Sequence, residues 1–309
     1  MSQKDIKDRI SSVKNIHKIT RAMQMVAAAR LRRAEQRIEV LRPYADAIRR
    51  MTGRAAQATQ SLPDLPLLKE HDSVDKVGLL LLTGDRGLAG SFNSQIIRAG
   101  NQRMREIEGD EGAKVTFYAV GRRGASSVEF RGMDLAEAFT GFTDRPSYAD
   151  ARSVADALIS AYVDGEVDRV EMYYNGYISP MTQEVRHETL LPLQQADVLG
   201  DDDEDDEDED QGSSDDSEGP DHSRSLWIYE PDPEEILRRL APDYVEISIY
   251  RAMLESTASE HGARMTAMQS ASDNAADLID DLTLEANRQR QADITQEIME
   301  VVGGAEALQ

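Results

Sequence analysis

Heptad spacing at both ends of the chain constrains its fold more than any other feature. Ala27, Leu31, Ala34, Ile38, Leu41, Ala45 and Ile48 alternate at intervals of four and three. That spacing lines one side of a helix with coiled-coil seam residues. Upstream, Ile16, Ile19, Met23 and Val26 make a similar stripe, one residue out of phase. A helix over 2–60 is roughly 80 Å long, with Pro43 as its one breaker and the expected place of a kink. At the other end Leu254, Ala258, His261, Met265, Met268, Ser272, Ala275, Ile279, Leu282 and Ala286 keep the same alternation. The seam is expected to restart at Ile294, Ile298, Val301, Ala305 and Leu308 after a slip of one residue. Asn287, Arg288, Gln289, Arg290 and Gln291 fill the slip. This second helix is expected from about 234, more securely from Asp243 after Pro242, to about 302.

Charge says how the two helices meet. Residues 1–60 carry 14 Lys/Arg against 5 Asp/Glu, whereas 234 to the end carries 15 acidic residues and 6 arginines. Opposite charge and matched heptads predict an antiparallel coiled coil of the two terminal helices. The seam is rich in Ala, Ser and Met, so the axes can approach closely. A coil this long exceeds any ordinary globule, and one end is expected to project.

Between the helices the period changes. Residues 77–83 (VGLLLLT), 115–120 (VTFYAV) and 167–174 (VDRVEMYY) are apolar runs of strand length, and 176–193 adds a further strand. Helical stretches near 91–108 and 147–164 alternate with them, which predicts a mostly parallel sheet. The fold class is therefore α/β plus long α-helices, with a small Rossmann-like domain inserted in the coil. The expected divisions are 1–62, 63–232 and 233–309. Residues 201–221 hold 14 acidic side chains and no basic one. Such a run repels itself, and 200–222 is expected to be a disordered loop.

Motifs for chemistry are sparse. Thr83-Gly84-Asp85-Arg86-Gly87-Leu88-Ala89-Gly90 follows the first strand and precedes a helix, where α/β folds bind phosphate. It matches neither GxxxxGK[ST] nor GxGxxG, and it reads better as a structural turn; Gly121-Arg122-Arg123-Gly124 reads the same way. The five histidines are scattered, with no pair at ligand spacing, and cysteine is absent, which excludes disulfides, zinc thiolates and a thiol nucleophile. His261, on the seam, is expected to be a packed histidine. No catalytic, cofactor-binding or metal site is expected. Arg30, Arg32, Arg33 and Arg37 could offer a basic face to nucleic acid, but the partner helix is acidic and no nucleic acid is expected. Arg290 and Gln291, set where the seam slips, are free either to face solvent or to bond a surrounding protein. No apolar run of membrane-spanning length and no secretory signal are read, so the expectation is a protein of a reducing compartment. A nucleotide-binding α/β enzyme with helical arms and a free-standing coiled-coil adaptor remain alternatives at this point.

Residues 6–34 (IKDRISSVKNIHKITRAMQMVAAARLRRA), TGDRGLAGSFN at 83–93, LLPL at 190–193, EPDP at 230–233, and the stretches 254–275 and 286–308 closely resemble gamma subunits of F-type ATP synthases. The resemblance covers nearly the whole chain. It implies a non-catalytic rotor shaft whose coil enters a hexamer of three alpha and three beta subunits. The α/β domain becomes a foot that meets the epsilon subunit and the membrane c-ring, with one copy per complex. The shaft couples proton flow to ATP synthesis or hydrolysis. By the same resemblance, Arg290, Gln291 and Thr295 contact a catch loop of the beta subunit, and Met23 is coupling-sensitive. Val301, Val302 and Leu308 sit in a hydrophobic sleeve. The acid run is longer than is usual in the family. The missing cysteine pair argues against light-linked thiol control, and the lack of a transit peptide points to a bacterial protein, peripheral on the cytoplasmic side of the plasma membrane.

Overall fold

The computed structural model describes residues 3–58, 65–71, 73–193 and 232–306. The acidic run and Leu308 lie outside them. In chain order the elements are α1 (Gln3–Ala58), β1 (Lys76–Leu82), α2 (Phe92–Glu106) with a π-helical turn at Ile107–Glu111, β2 (Lys114–Val120), α3 (Arg122–Phe130), β3 (Leu135–Phe139), α4 (Tyr148–Val163), β4 (Arg169–Tyr177), β5 (Gln183–Leu191) and α5 (Pro233–Glu306).

The five strands form one sheet in the order β3-β2-β1-β4-β5. The first four strands pair in parallel and β5 returns antiparallel to β4. From Val77 on, every residue of β1 is buried, because both faces of the sheet are covered. Val77, Leu79, Leu81 and Phe117 pack under Ile96 of α2 and Val128 of α3. On the opposite face Leu80, Leu82, Tyr118 and Tyr174 meet Val154 and Leu158 of α4 and Val245 and Ile249 of α5. The first third of α5 is thus one layer of the α/β core, and the rest leaves that core to pair with α1. Helix α4 begins where the sequence asks it to: Ser147 and Asp150 form a reciprocal capping box.

The terminal helices are antiparallel. Ala55 packs with Leu237, Leu31 and Ala34 pack with Ala258, and Ile6 and Val13 pack with Ala275 and Leu282. At 56 and 74 residues, they are about 84 Å and 111 Å long. Helical structure continues through Pro43, which sits on the exposed side of α1, and through Pro242. The packed seam on either side of Pro43 (Leu41, Ala45, Ile48) holds the turn in place where one backbone bond is lost.

The seam departs from expectation on both helices at the tip of the coil. On α1 the side chains that turn inward upstream of Ala27 are Ile6, Ile10, Val13, His17, Thr20 and Gln24. They continue the four-three alternation unbroken. The stripe Ile16, Ile19 and Val26 is exposed, and Met23 is half-buried. On α5 the half-buried Gln289 and Asp293 continue the alternation from Ala286, whereas Ile294, Ile298 and Val301 are exposed. The expected slip and restart are therefore corrected: the packing register runs on through polar residues, and the apolar stripes occupy other faces. Two further elements, α3 and β3, were not expected from the sequence.

Candidate functional site

Two regions stand out: the tip of the coil and the neck where coil meets sheet. At the tip α5 outruns α1. Ala286 packs against the cluster that holds Ile6, so Ile294, two turns farther on, lies past the start of α1 at Gln3. From there Ile294, Ile298, Met299 and Val301 are exposed, Val301 by 73%. Arg290, Gln291 and Thr295 are exposed on the same stretch, and the Thr295 hydroxyl donates back to the Gln291 carbonyl at 2.8 Å. Ile16, Ile19 and Val26 add exposed apolar surface on α1, more than half of each open to solvent. A run of exposed aliphatics on a helix is a candidate interaction surface. Arg290, Gln291, Thr295 and Val301 thus share one exposed stretch of α5. Met23 lies some turns below them on α1.

At the neck the Thr83–Gly90 turn is wired into the fold. The Thr83 hydroxyl donates to the Val120 carbonyl at 2.9 Å and accepts from the Gly124 amide at 2.9 Å. The Asp85 carboxylate accepts from the amides of Arg122 and Gly141 and from the Thr143 hydroxyl, at 2.9–3.1 Å. Asn93 accepts from the Gly84 amide at 2.8 Å. Gly121, with φ +93, has no alternative, since a Cβ there would lie 2.1 Å from the Thr83 carbonyl oxygen. These bonds account for both glycine motifs as turns that join strand ends to helices.

A doubly wound sheet holds its ligand in the crevice beyond the carboxyl ends of its strands. Here α5 fills that crevice. The buried Glu260 carboxylate stands 2.9 Å from where a Gly84 Cβ would be. Thr257 donates to the Thr143 carbonyl at 3.0 Å, and Arg264 donates to the Gly87 carbonyl at 3.2 Å and to Glu260 at 2.6 Å. A carboxylate over the glycine turn repels phosphate, so the geometry argues against the nucleotide-binding alternative. Burial raises the Glu260 carboxyl against the opposing pull of Arg264.

His261 is a packed histidine, 2% exposed. Burial pushes it down to about 4, helped by Arg264 and Arg30 and opposed by Asp144. Its Nδ1 accepts from Arg264 at 3.4 Å, and its Nε2 lies 3.8 Å from Asp144. Of the other histidines, His71 pairs with Asp168 at 2.8 Å, His187 pairs with Glu171 at 3.0 Å, and His17 is half-buried on the seam. His222 lies outside the described residues. Among the described residues no three His, Asp or Glu side chains are grouped to hold a metal ion.

A second polar centre braces the sheet. Glu171 of β4 is buried. Arg103 of α2 reaches it with two bonds of 2.9 Å, and Arg169 lies 2.8 Å away. Burial alone would raise this carboxyl; the hydrogen bonds of Arg103 and His187 and the charges of Arg103 and Arg169 outweigh it and hold it at about 2. Arg251 of α5 similarly binds Glu188 of β5 at 2.7 and 2.8 Å. Sequence reasoning missed both centres, because ion pairs between distant elements leave no local pattern.

A slender two-helix shaft rooted in an α/β base, its ligand crevice filled by its own helix and its tip coated with exposed aliphatics, defines a stalk-like mechanical subunit. Comparison with known proteins agrees. The ATP synthase family model matches residues 2–308. The ATP synthase gamma chain of Moorella thermoacetica is 42% identical over 99% of this chain and 98% of its own length. That of Streptomyces avermitilis is 44% identical over 98% and 94%. Among solved structures, a chain of the Euglena gracilis mitochondrial ATP synthase matches with a TM-score of 0.67 at 18% identity, covering 99% of this chain and 94% of that one. A chain from the central stalk and c-ring of the Tetrahymena thermophila enzyme gives 0.59 at 24% identity, over 82% and 99%. The chain belongs to the ATP synthase gamma-chain family. That complex is membrane-associated, and no described helix of this chain is long and apolar enough to cross a membrane.

Proposed function

We propose that this chain turns as a single copy inside a hexamer of three alpha and three beta subunits, its coil the shaft and its α/β domain (within 63–232) the foot. The foot rests on the epsilon subunit and the c-ring, so proton flow through the ring drives ATP synthesis in the hexamer and hydrolysis drives the reverse. The chain has no bond chemistry of its own. Arg290, Gln291 and Thr295 engage a catch loop of a beta subunit. Met23 transmits coupling from the opposite helix, and Val301, Val302 and Leu308 turn in a hydrophobic sleeve. The assembly sits peripherally on the cytoplasmic face of a bacterial plasma membrane.

One observation carries this reading: α5 continues past the start of α1 and exposes Ile294, Ile298 and Val301 beside Arg290, Gln291 and Thr295. A free-standing adaptor would gain nothing from an aliphatic tip in water, whereas a bearing requires one. Replacing Arg290 and Gln291 together by alanine tests it. ATP-driven proton pumping in the reconstituted complex is expected to fall several-fold, in keeping with the loss of a pair of interface hydrogen bonds of about 1–2 kcal/mol. Unchanged pumping and ATPase activity would contradict the assignment of the catch contact.

A further inference from the structure

Helix α5 is fixed to the foot by the apolar core it shares with the sheet. Helix α1 has no such root at the neck. Its seam there is Leu31, Ala34 and Ile38 against Ala258 and Met265, with the Tyr177 ring packed against it and Ala27 buried a turn away; the alanines interlock weakly against rolling or sliding. Two polar links reach α1 from the foot at this level. Arg30 binds the carboxylate of Asp144, in the loop between β3 and α4. Tyr177, at the end of β4, donates its hydroxyl to Glu35. Arg30 and Glu35 are five residues apart, about 140° around the helix, so the foot holds α1 on two flanks.

The Asp144 anchor is itself braced. Arg86 of the β1–α2 loop lies 3.7 Å from it and His261 of α5 lies 3.8 Å away. Its neighbour Thr143 accepts from the Asp85 amide through its hydroxyl and from Thr257 of α5 through its carbonyl. Asp144 therefore touches α1, α5 and the glycine turn at once. Partly exposed pairs of this kind add little to stability. Their geometric consequence is larger, because each link restrains α1 at the radius of its side chains, where the lever arm for twist is longest.

We propose that Arg30–Asp144 and Tyr177–Glu35 form a two-point grip that prevents α1 from rolling in the coil when the foot is turned, and so set the torsional stiffness between foot and shaft. These are positioning residues and touch no nucleotide. The proposal rests on the rotor reading, and its test keeps the two apart. In the complete complex, with beta subunits immobilised and catalysis arrested by a non-hydrolysable ATP analogue, a rod on the foot reports angular fluctuation. A rod on the unmodified chain that is not held by the hexamer would contradict the rotor reading itself.

Given a held rod, the Arg30→Gln/Tyr177→Phe variant is expected to widen the angular variance about twofold, each single change giving less. The melting midpoint of the complex is expected to stay unchanged, so that the wider variance does not come from a loosened fold. Arg30→Asp widens it too, and adding Asp144→Arg to restore the pair with reversed sign narrows it again. Variance unchanged in the double variant, or no recovery on reversal, overturns the grip. Should the double variant fail to assemble, Tyr177→Phe alone, which removes one oxygen, is read in the same way: a wider variance supports the grip and an unchanged one overturns it.

Discussion

At the residue scale, buried titratable groups give this chain a pH signature in two windows. His261 is held neutral down to about 4 in the folded state, against an ordinary value of 6.5. Between those values the unfolded chain binds more protons than the folded one, so stability falls as pH drops through that window, by about 3 kcal/mol in total. Glu171 titrates at about 2 when folded, against 4.5, so its contribution is present above 4.5 and is lost as pH falls toward 2. Urea unfolding as a function of pH is expected to show both limbs. His261→Gln should remove the upper limb alone; a curve that keeps it would mean that another group titrates there. Asp85 makes a different prediction: Asp85→Ala leaves the Gly141 and Arg122 amides without their acceptor and should cost about 2 kcal/mol, read as a lower urea midpoint. The Thr83–Gly90 motif was visible in the sequence, but the Glu260 carboxylate that occupies its crevice comes from far along the chain and was not.

At the element scale the coil is held by register more than by hydrophobicity. The heptads at 27–48 and 254–286 were legible because apolar residues mark them. Their continuation through His17, Thr20 and Gln24, and through Gln289 and Asp293, was not legible: those seam residues are polar, and the nearby apolar stripes lie on other faces. A stripe that must meet a partner protein and a stripe that packs internally look alike in sequence. Likewise β3 was missed because its middle residues are exposed at a sheet edge, and α3 because it is short and its glycine and two serines carry little helical signal. Close approach of the two helices makes its own prediction. Ala258 is fully buried against Leu31 and Ala34, so Ala258→Leu should cost about 1–3 kcal/mol by overpacking. A thermal midpoint equal to that of the unmodified chain would show that the axes have room to part.

At the scale of the whole molecule, the α/β base carries a shaft whose tip exposes Ile294, Ile298 and Val301. Ile298→Ser should leave the fold of the chain unchanged, within about 0.5 kcal/mol for an exposed site, while weakening assembly with the hexamer. Loss of fold would mean that the side chain is packed inside the chain after all. The proposed role of the tip requires a hexamer around it. The most direct measurement is the mass of the complex that co-purifies when the tagged chain is expressed with the alpha and beta subunits of its host. One copy bound to three alpha and three beta subunits, with ATPase activity, is the predicted result. A monomer or homodimer that ignores both subunits would contradict the account.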